Sequence, residues 1–220
     1  MSQLKTMLKF LRDLKGNNSK EWMQEQKPRY LEQKQSFHDL VQDVIDGIST
    51  FDSQVVGLEP KDCVFRINRD IRFSKDKTLY KTHFGAYMAN GGRKSMLPGY
   101  YLHLEPSGKS ILAAGLYRPP SKLLSKVRQE IDYNGKELTA IVEKKSWQKQ
   151  FGSLRGERLI KAPKGYSLDH QYISYLQLKS YLAVLPLDDS AVTSSEFSKR
   201  VVREYGKMHP LVDFLSTAIS

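Results

Sequence analysis

The chain has 220 residues, one cysteine and a formal net charge of +11 at pH 7. A chain of this length buries a core without disulfides, and a single cysteine excludes both an intramolecular disulfide and a cysteine-based zinc cluster. No run approaches the ~18 continuous apolar residues of a membrane span, so we predict a cytoplasmic protein with no membrane partner. The positive charge favours anionic partners instead, such as nucleic acid or phosphorylated small molecules.

The first 50 residues carry the pattern of helices. Apolar residues recur at helical spacing in the first segment: Leu4, Met7, Leu8, Leu11 and Leu14. Gly16 ends this segment, Ser19 caps a short helix that runs to about Gln26, and Pro28 suits the first turn of a longer helix. The longer helix has one apolar stripe, formed by Tyr30, Phe37, Leu40, Val41, Val44, Ile45 and Ile48.

Short runs of aromatic and β-branched residues follow Asp52 and are bounded by turn residues. They predict strands over 64–68, 82–89, 100–105 and 110–117. Ser107-Gly108-Lys109 has a suitable length for a hairpin turn between the last two strands. The predicted sheet is therefore an antiparallel meander of about four strands.

Helical patterns return from residue 119 onward. Pro120 or Ser121 opens one segment, and Asn134 can cap a second. Later helices are predicted over 172–183, 194–207 and 210–220. No linker, repeat or low-complexity tract divides the chain, so we predict one α+β domain over residues 1–220, with helices at both ends of a central sheet.

The densest polar stretch runs from Arg66 to Lys81, here called the arginine segment. Its arginines fall three residues apart, and guanidinium groups brought together need a negatively charged partner. That partner is a phosphate or carboxylate ligand, or an internal set of acids, namely Asp70, Asp76 and Glu105, and the two interpretations are compatible. Under the first interpretation the anion-binding residues are Arg66, Arg69, Arg72, Lys75, Lys77 and Tyr80.

Strand alternation predicts a polar face beside the arginine segment. Tyr101, His103 and Glu105 share one face of their strand, and His83 shares a face with Tyr87. Because the register between the strands is not encoded in either run, their meeting is a hypothesis.

If these groups meet, His83 and His103 suit general acid and base roles, with Glu105 or Asp70 orienting them. Two histidines and a carboxylate also suit a metal ion, and a purely structural role is the third alternative. We assign no metal and no cofactor. The chain lacks the Walker, G-x-S-x-G and H-x-x-x-H motifs, so the sequence does not decide whether the protein is an enzyme.

The arginine segment is similar to a family signature. The matching run is Arg66-x-x-Arg69-Asp70-x-Arg72-Phe73-x-x-x-Lys77-x-x-Tyr80, followed downstream by Pro98-Gly99-Tyr100-Tyr101. It resembles a widespread bacterial family of conserved hypothetical proteins, described as a domain of unknown function. The resemblance implies a single domain and a bacterial-type cytoplasmic protein, and it assigns no catalytic residues.

Three functions remain open at this point. The leading hypothesis is an anion-recognition protein that binds a phosphorylated ligand or nucleic acid through the arginine segment. The alternative is a hydrolase or transferase acting on a phosphorylated or carboxylated small molecule. The third is a ligand-free scaffold whose arginines are all paired internally.

Overall fold

The structure is a computed structural model that describes residues 3–220. Met1 and Ser2, at the start of the predicted N-terminal helix, lie outside the described residues. Three helices open the fold: α1 (Gln3–Gly16), α2 (Lys20–Glu25) and α3 (Lys27–Ile48). As predicted, the Ser19 side chain caps α2 by accepting a hydrogen bond from the Trp22 backbone N–H, and Pro28 lies in the first turn of α3.

Four antiparallel strands form one sheet in the order β1-β2-β3-β4. They are β1 (Phe84–Met88), β2 (Gly99–Leu104), β3 (Ser110–Leu116) and β4 (Tyr181–Leu187). One face is buried and apolar, and it includes Phe84, Ala86, Met88, Tyr100, Leu102, Leu104, Leu112, Ala114, Leu116, Tyr181 and Ala183. Helix α3 contacts β1 on this side, and the last helix contacts β3, so the opposite face of the sheet carries the candidate site.

The remaining helices are α4 (Pro60–Cys63), α5 (Ser121–Val142), α6 (Lys145–Phe151), α7 (Ile173–Leu176), α8 (Asp189–Val192) and α9 (Phe197–Ile219). Short 3-10 turns lie at Ser53–Val55 and Gly92–Lys94. One hydrophobic cluster includes buried residues of α1, α3, the sheet, α5 and α9. The predicted α+β class, with N-terminal helices, an antiparallel sheet of four strands and C-terminal helices, is confirmed. Within residues 3–220 no helix combines the length and the hydropathy needed to cross a membrane.

One predicted strand is wrong, and one observed strand begins where a helix was predicted. Residues 64–68 form no strand and touch neighbouring chain only through isolated bridges, Val64 with Ala86 and Asn68 with Tyr80. The polar residues after Ile67 give this segment no continuous apolar face to bury, so pairing stops after one bridge. The fourth strand is β4 instead, in a region predicted to be helical up to residue 183. Its apolar run is too short to distinguish a strand from a helix by periodicity. The strand contains Pro186, which is tolerated because β4 lies at the edge of the sheet.

Two helix boundaries also differ from the prediction. Helix α5 continues through Asn134, which is a kink with φ −120° and ψ 23° and not the cap of a separate helix. Helix α9 continues through Pro210. Its buried residues lie on both sides of that proline, including Val201, Tyr205, Met208, Leu211, Val212 and Leu215. Packing of this continuous stripe outweighs the one backbone hydrogen bond that proline removes.

Candidate functional site

The two predicted polar strand faces meet. In the register of β1 and β2, Gly85 is opposite His103, which brings His83 beside His103. The two imidazole rings stack with their centroids 4.2 Å apart, and His103 Nε2 lies 3.1 Å from Glu105 Oε2. We call His83, His103 and Glu105 the histidine cluster; the side chains of His103 and Glu105 are 15% and 18% exposed.

Tyr101 extends this cluster into a hydrogen-bonded chain. Its hydroxyl lies 3.0 Å from His103 Nδ1, so both ring nitrogens of His103 have partners. An ionised carboxylate only accepts hydrogen bonds. We therefore assign the proton of a neutral His103 to Nε2, which donates to Glu105, while the Tyr101 hydroxyl donates to Nδ1. Sequence reasoning placed Tyr101 on the right face but gave it no role.

Burial controls the protonation of these groups. Loss of solvent, aided by the nearby His103, lowers the pKa of His83 to about 4. Burial also lowers the pKa of His103, opposed by its hydrogen bond to Glu105, and raises the pKa of Tyr101 to about 12. At neutral pH the two imidazoles are therefore uncharged and the phenol is protonated, as proton donors and acceptors in a site require.

A cavity of about 490 Å³ lies over the open face of the sheet beside the cluster. His83 and Tyr101 contribute to its lining together with Lys81 and Arg93. The rest is largely apolar or aromatic and includes Phe65, Tyr87, Met96, Ile111, Leu182 and Val184. A cavity of this size, mostly apolar with a few convergent polar groups, is typical of small-molecule sites.

A second concavity, here called the cationic groove, has a volume of about 740 Å³. Its charged lining consists of six cations and one histidine: Lys34, His38, Lys61, Arg66, Lys81, Arg93 and Lys94. No Asp or Glu is among its lining residues in the described part of the chain. It shares Phe65, Lys81 and Arg93 with the cavity, so the two form adjoining parts of one surface.

The three arginines of the arginine segment occupy different environments. Only Arg66 lines the cationic groove. Arg69 bonds to Asp76 and Thr78, and Arg72 forms two bonds to Asp70, at 3.0 and 2.7 Å. Asp70 therefore partners Arg72 and not the histidine cluster.

The other residues predicted to bind an anion are held by local contacts or exposed. Lys77 donates to the carbonyl oxygen of Ile71 at 3.1 Å, and the Asn18 side chain bonds to the backbone N–H and carbonyl of Tyr80. Lys75 is exposed and forms no hydrogen bond or ion pair with any residue from 3 to 220. The internal pairs are those of a surface loop, since the Arg72 side chain is 76% exposed.

The groove contains residues that sequence reasoning missed. Lys34 and His38 lie four residues apart and so share one face of α3. Lys61, Arg93 and Lys94 come from α4 and the 3-10 turn after β1. These residues are far apart in the sequence, so the sequence does not show that they lie together. Helix periodicity could have identified Lys34 and His38 as one pair on the polar side of α3.

Cys63 lies outside both concavities, fully buried at the end of α4. Burial raises the pKa of its thiol to about 11. Because only the thiolate is a good nucleophile, we expect native protein at pH 8 to resist alkylation by iodoacetamide, measured by mass spectrometry, and to react fully in guanidinium. The native reaction rate should rise as the pH approaches 11. Rapid alkylation of native protein at pH 8 would contradict this assignment.

The fold and site define a basic α+β protein with a helix-backed antiparallel sheet, an open-face cavity and an adjoining cationic groove. The chain belongs to the family described as conserved hypothetical protein (DUF2461), whose sequence profile matches residues 6–214. This match confirms the predicted family. Comparison with curated proteins gave no match, and neither did comparison with solved structures.

Proposed function

We propose that this is a cytoplasmic anion-recognition protein that binds a phosphorylated small molecule in the cationic groove. The observation that carries the proposal is uncompensated charge. Of the six cations in the groove, only Lys61 has a carboxylate partner among residues 3–220, Glu59 at 2.5 Å. The other five attract an anion because no internal acid neutralises them.

Like charges are held close together inside the groove. Lys81 donates to the carbonyl oxygen of Arg66 at 3.0 Å, and Arg93 donates to that of Lys61 at 2.6 Å. Backbone oxygens thus position these cations without cancelling their charge. Burial, together with the neighbouring Arg66, lowers the pKa of Lys81. A bound phosphate group between them would relieve this repulsion and restore the pKa.

The shape of the surface favours a small molecule. The groove and the cavity, about 740 and 490 Å³, fall in the range of ligand pockets, ~300–1,000 Å³. Because they adjoin at Phe65, Lys81 and Arg93, one ligand can place its phosphate in the groove and an apolar or aromatic part over the sheet. Nucleic acid is the other occupant that the charge favours, and the test below separates the two.

Titration calorimetry with inorganic pyrophosphate at low salt tests the proposal. We expect Arg66→Ala and Lys34→Ala each to weaken binding about tenfold, which corresponds to ~1.4 kcal/mol. Arg72→Ala is the matched control, since it removes the same charge from an arginine that is paired with Asp70 outside the groove. Its affinity should equal that of the wild-type protein.

Two results would reject the proposal: no pyrophosphate binding at low salt, or equal losses in Arg66→Ala and Arg72→Ala, which would indicate an effect of net charge alone. The nucleic-acid version is tested with labelled single- and double-stranded oligonucleotides. A steep fall of affinity with salt, stronger than that for pyrophosphate, would favour it.

The hydrogen-bonded chain Tyr101–His103–Glu105 favours a second candidate function. Tyr101 lines the cavity, and its link through His103 to a carboxylate suits a general acid or base. We propose as the alternative a hydrolase or transferase that acts on the bound phosphorylated or carboxylated molecule. A screen of phosphate and carboxylate esters tests it: turnover should be lost in Tyr101→Phe while pyrophosphate binding is retained. Equal turnover by the wild-type protein and by Tyr101→Phe would reject the hydrolase or transferase function.

A further inference from the structure

The histidine cluster brings three possible metal-ligand atoms, two imidazole nitrogens and one carboxylate oxygen, close together. One nitrogen of each histidine and one oxygen of Glu105 all lie within 4.8 Å of one another. Among residues 3–220 this is the one group of three or more His, Cys, Asp or Glu residues with that property. In the sequence analysis a metal ion at these residues was one of three alternatives, and no metal was assigned.

The distance between His103 and Glu105 matches that between neighbouring ligands of one ion. His103 Nε2 and Glu105 Oε2 are 3.1 Å apart. For an ion ~2.1 Å from both atoms, the angle between the two bonds at the ion is about 95°, which lies between the octahedral and tetrahedral values. Two imidazoles bound at right angles to one ion place their ring centres about 4.5 Å apart at the usual Zn–N distance. The rings of His83 and His103 are stacked, with their centroids 4.2 Å apart and their planes inclined at 29°. The two rings are therefore close enough to share an ion once the His83 ring turns its nitrogen towards it.

We infer that His83, His103 and Glu105 form a binding site for one divalent transition-metal ion at the edge of the cavity. This site is separate from the cationic groove and does not depend on anion binding there. Two nitrogens and one carboxylate oxygen suit Zn²⁺ and similar first-row ions, whereas Mg²⁺ and Ca²⁺ prefer sets made of oxygen alone.

Outer groups that hold the ligands are also present. The Tyr101 hydroxyl lies 3.0 Å from His103 Nδ1, the nitrogen that would not bind the ion. The Thr82 hydroxyl donates to Glu105 Oε1 at 3.4 Å, leaving Oε2 for the ion. Metal-binding histidines and carboxylates usually have such partners, which fix the ring and carboxylate orientations.

The site has an entry path as well as ligands. His83 lines the cavity of about 490 Å³, so an ion can reach His83 from that space. Three protein ligands with positions open towards a cavity are typical of catalytic metal sites, whereas structural zinc sites have four protein ligands. The ion would therefore be accessible to a molecule bound in the cavity.

His170 provides an internal comparison. Its Nε2 lies 2.9 Å from Asp132 Oδ1, which reproduces the histidine and carboxylate pair of the cluster. No third ligand residue joins this pair among the described residues. If proximity of a histidine and a carboxylate were sufficient, both places would bind the ion equally.

The experiment is calorimetric titration of Zn²⁺ into untagged protein that has been treated with chelator. We expect one ion per chain with micromolar or tighter affinity, at least 100-fold weaker binding in His83→Ala and Glu105→Gln, and unchanged binding in His170→Ala. Tyr101→Phe keeps all three ligands and should weaken binding about tenfold through loss of the outer hydrogen bond. Mg²⁺ should not compete with Zn²⁺.

Circular dichroism confirms that each variant is folded, and Glu105→Gln keeps the test valid if His83→Ala is not, because the amide has the shape of the carboxylate. The inference is overturned if the wild-type protein binds no Zn²⁺ at micromolar concentration. It is overturned equally if Glu105→Gln binds as tightly as wild type, or if His170→Ala causes the main loss. Pyrophosphate binding by the same variants should be unchanged, which separates this outcome from the groove proposal.

Discussion

Replacing Gly115 by alanine is expected to destabilise the protein by about 3–5 kcal/mol, because overpacking and backbone strain add at this position. Gly115 lies in β3 with φ +128°. A Cβ atom there would lie 2.0 Å from the carbonyl oxygen of Tyr181 in β4. That oxygen belongs to the backbone of a paired strand, so it cannot move aside as a flexible side chain would.

Gly108→Ala is the matched control for this prediction. Gly108 also has a positive φ, +69°, but no atom lies within 4 Å of the added Cβ. The Gly108→Ala substitution should therefore lower the free energy of unfolding only through backbone strain, by about 1 kcal/mol. Chemical denaturation followed by circular dichroism measures both variants. If the two variants were equally stable, the close approach of β3 and β4 at Gly115 would be contradicted.

The same contact matters for the candidate site. Gly115 lines the cavity, and β4 contributes Leu182 and Val184 to it. A shift of β4 away from an alanine at position 115 would therefore change the cavity as well as the stability. The close packing of β3 on β4 is one of the features that position the site, yet β4 is the strand that the sequence pattern did not predict.

The parts of the site that follow one element were predictable. Alternation along β2 placed Tyr101, His103 and Glu105 on a common face because side chains in a strand alternate with period two. The register with β1 was not predictable. The connection between β1 and β2, residues 89–98, is too long to fix which residues pair, so the contact between His83 and His103 needed the structure.

Charge clustering in sequence proved a weaker guide than the strand pattern. In a loop, cations and acids a few residues apart reach each other, and Arg72 pairs with Asp70 in this way. The uncompensated cations of the groove come from α3, from the turn after β1 and from the two ends of the arginine segment, Arg66 and Lys81. Their meeting depends on how α3 packs on the sheet, which no local count of charges can show.

A buried polar cluster on the covered face of the sheet gives the second large stability effect. Tyr100 is fully buried, and its hydroxyl lies 2.8 Å from both Asp52 Oδ2 and His209 Nδ1. Asp52 is 4% exposed and also accepts a hydrogen bond from the Gln54 backbone N–H. Burial, followed by the hydrogen bond to Asp52, raises the pKa of Tyr100 far above its ordinary value, so the phenol stays protonated and donates to the carboxylate.

Asp52→Ala should therefore cost about 3 kcal/mol, since it removes the acceptor of a buried hydroxyl and the cap of a 3-10 turn together. Tyr100→Phe should cost about 2 kcal/mol, because a hydrogen bond to a charged group is lost. Chemical denaturation of both variants and of the double variant measures the coupling between the two residues. We expect a coupling of at least ~1 kcal/mol, since they are in direct contact.

Tyr205 makes the comparison sharp. Its ring centroid lies 5.1 Å from that of Tyr100, and it is equally buried, but its hydroxyl has no hydrogen-bond partner among residues 3–220. Tyr205→Phe removes an unsatisfied polar atom, so it should be neutral or stabilising. Two adjacent tyrosines thus receive the same substitution with opposite expected results. Equal changes in the free energy of unfolding for Tyr100→Phe and Tyr205→Phe would mean that the hydrogen bond between Tyr100 and Asp52 does not stabilise the protein.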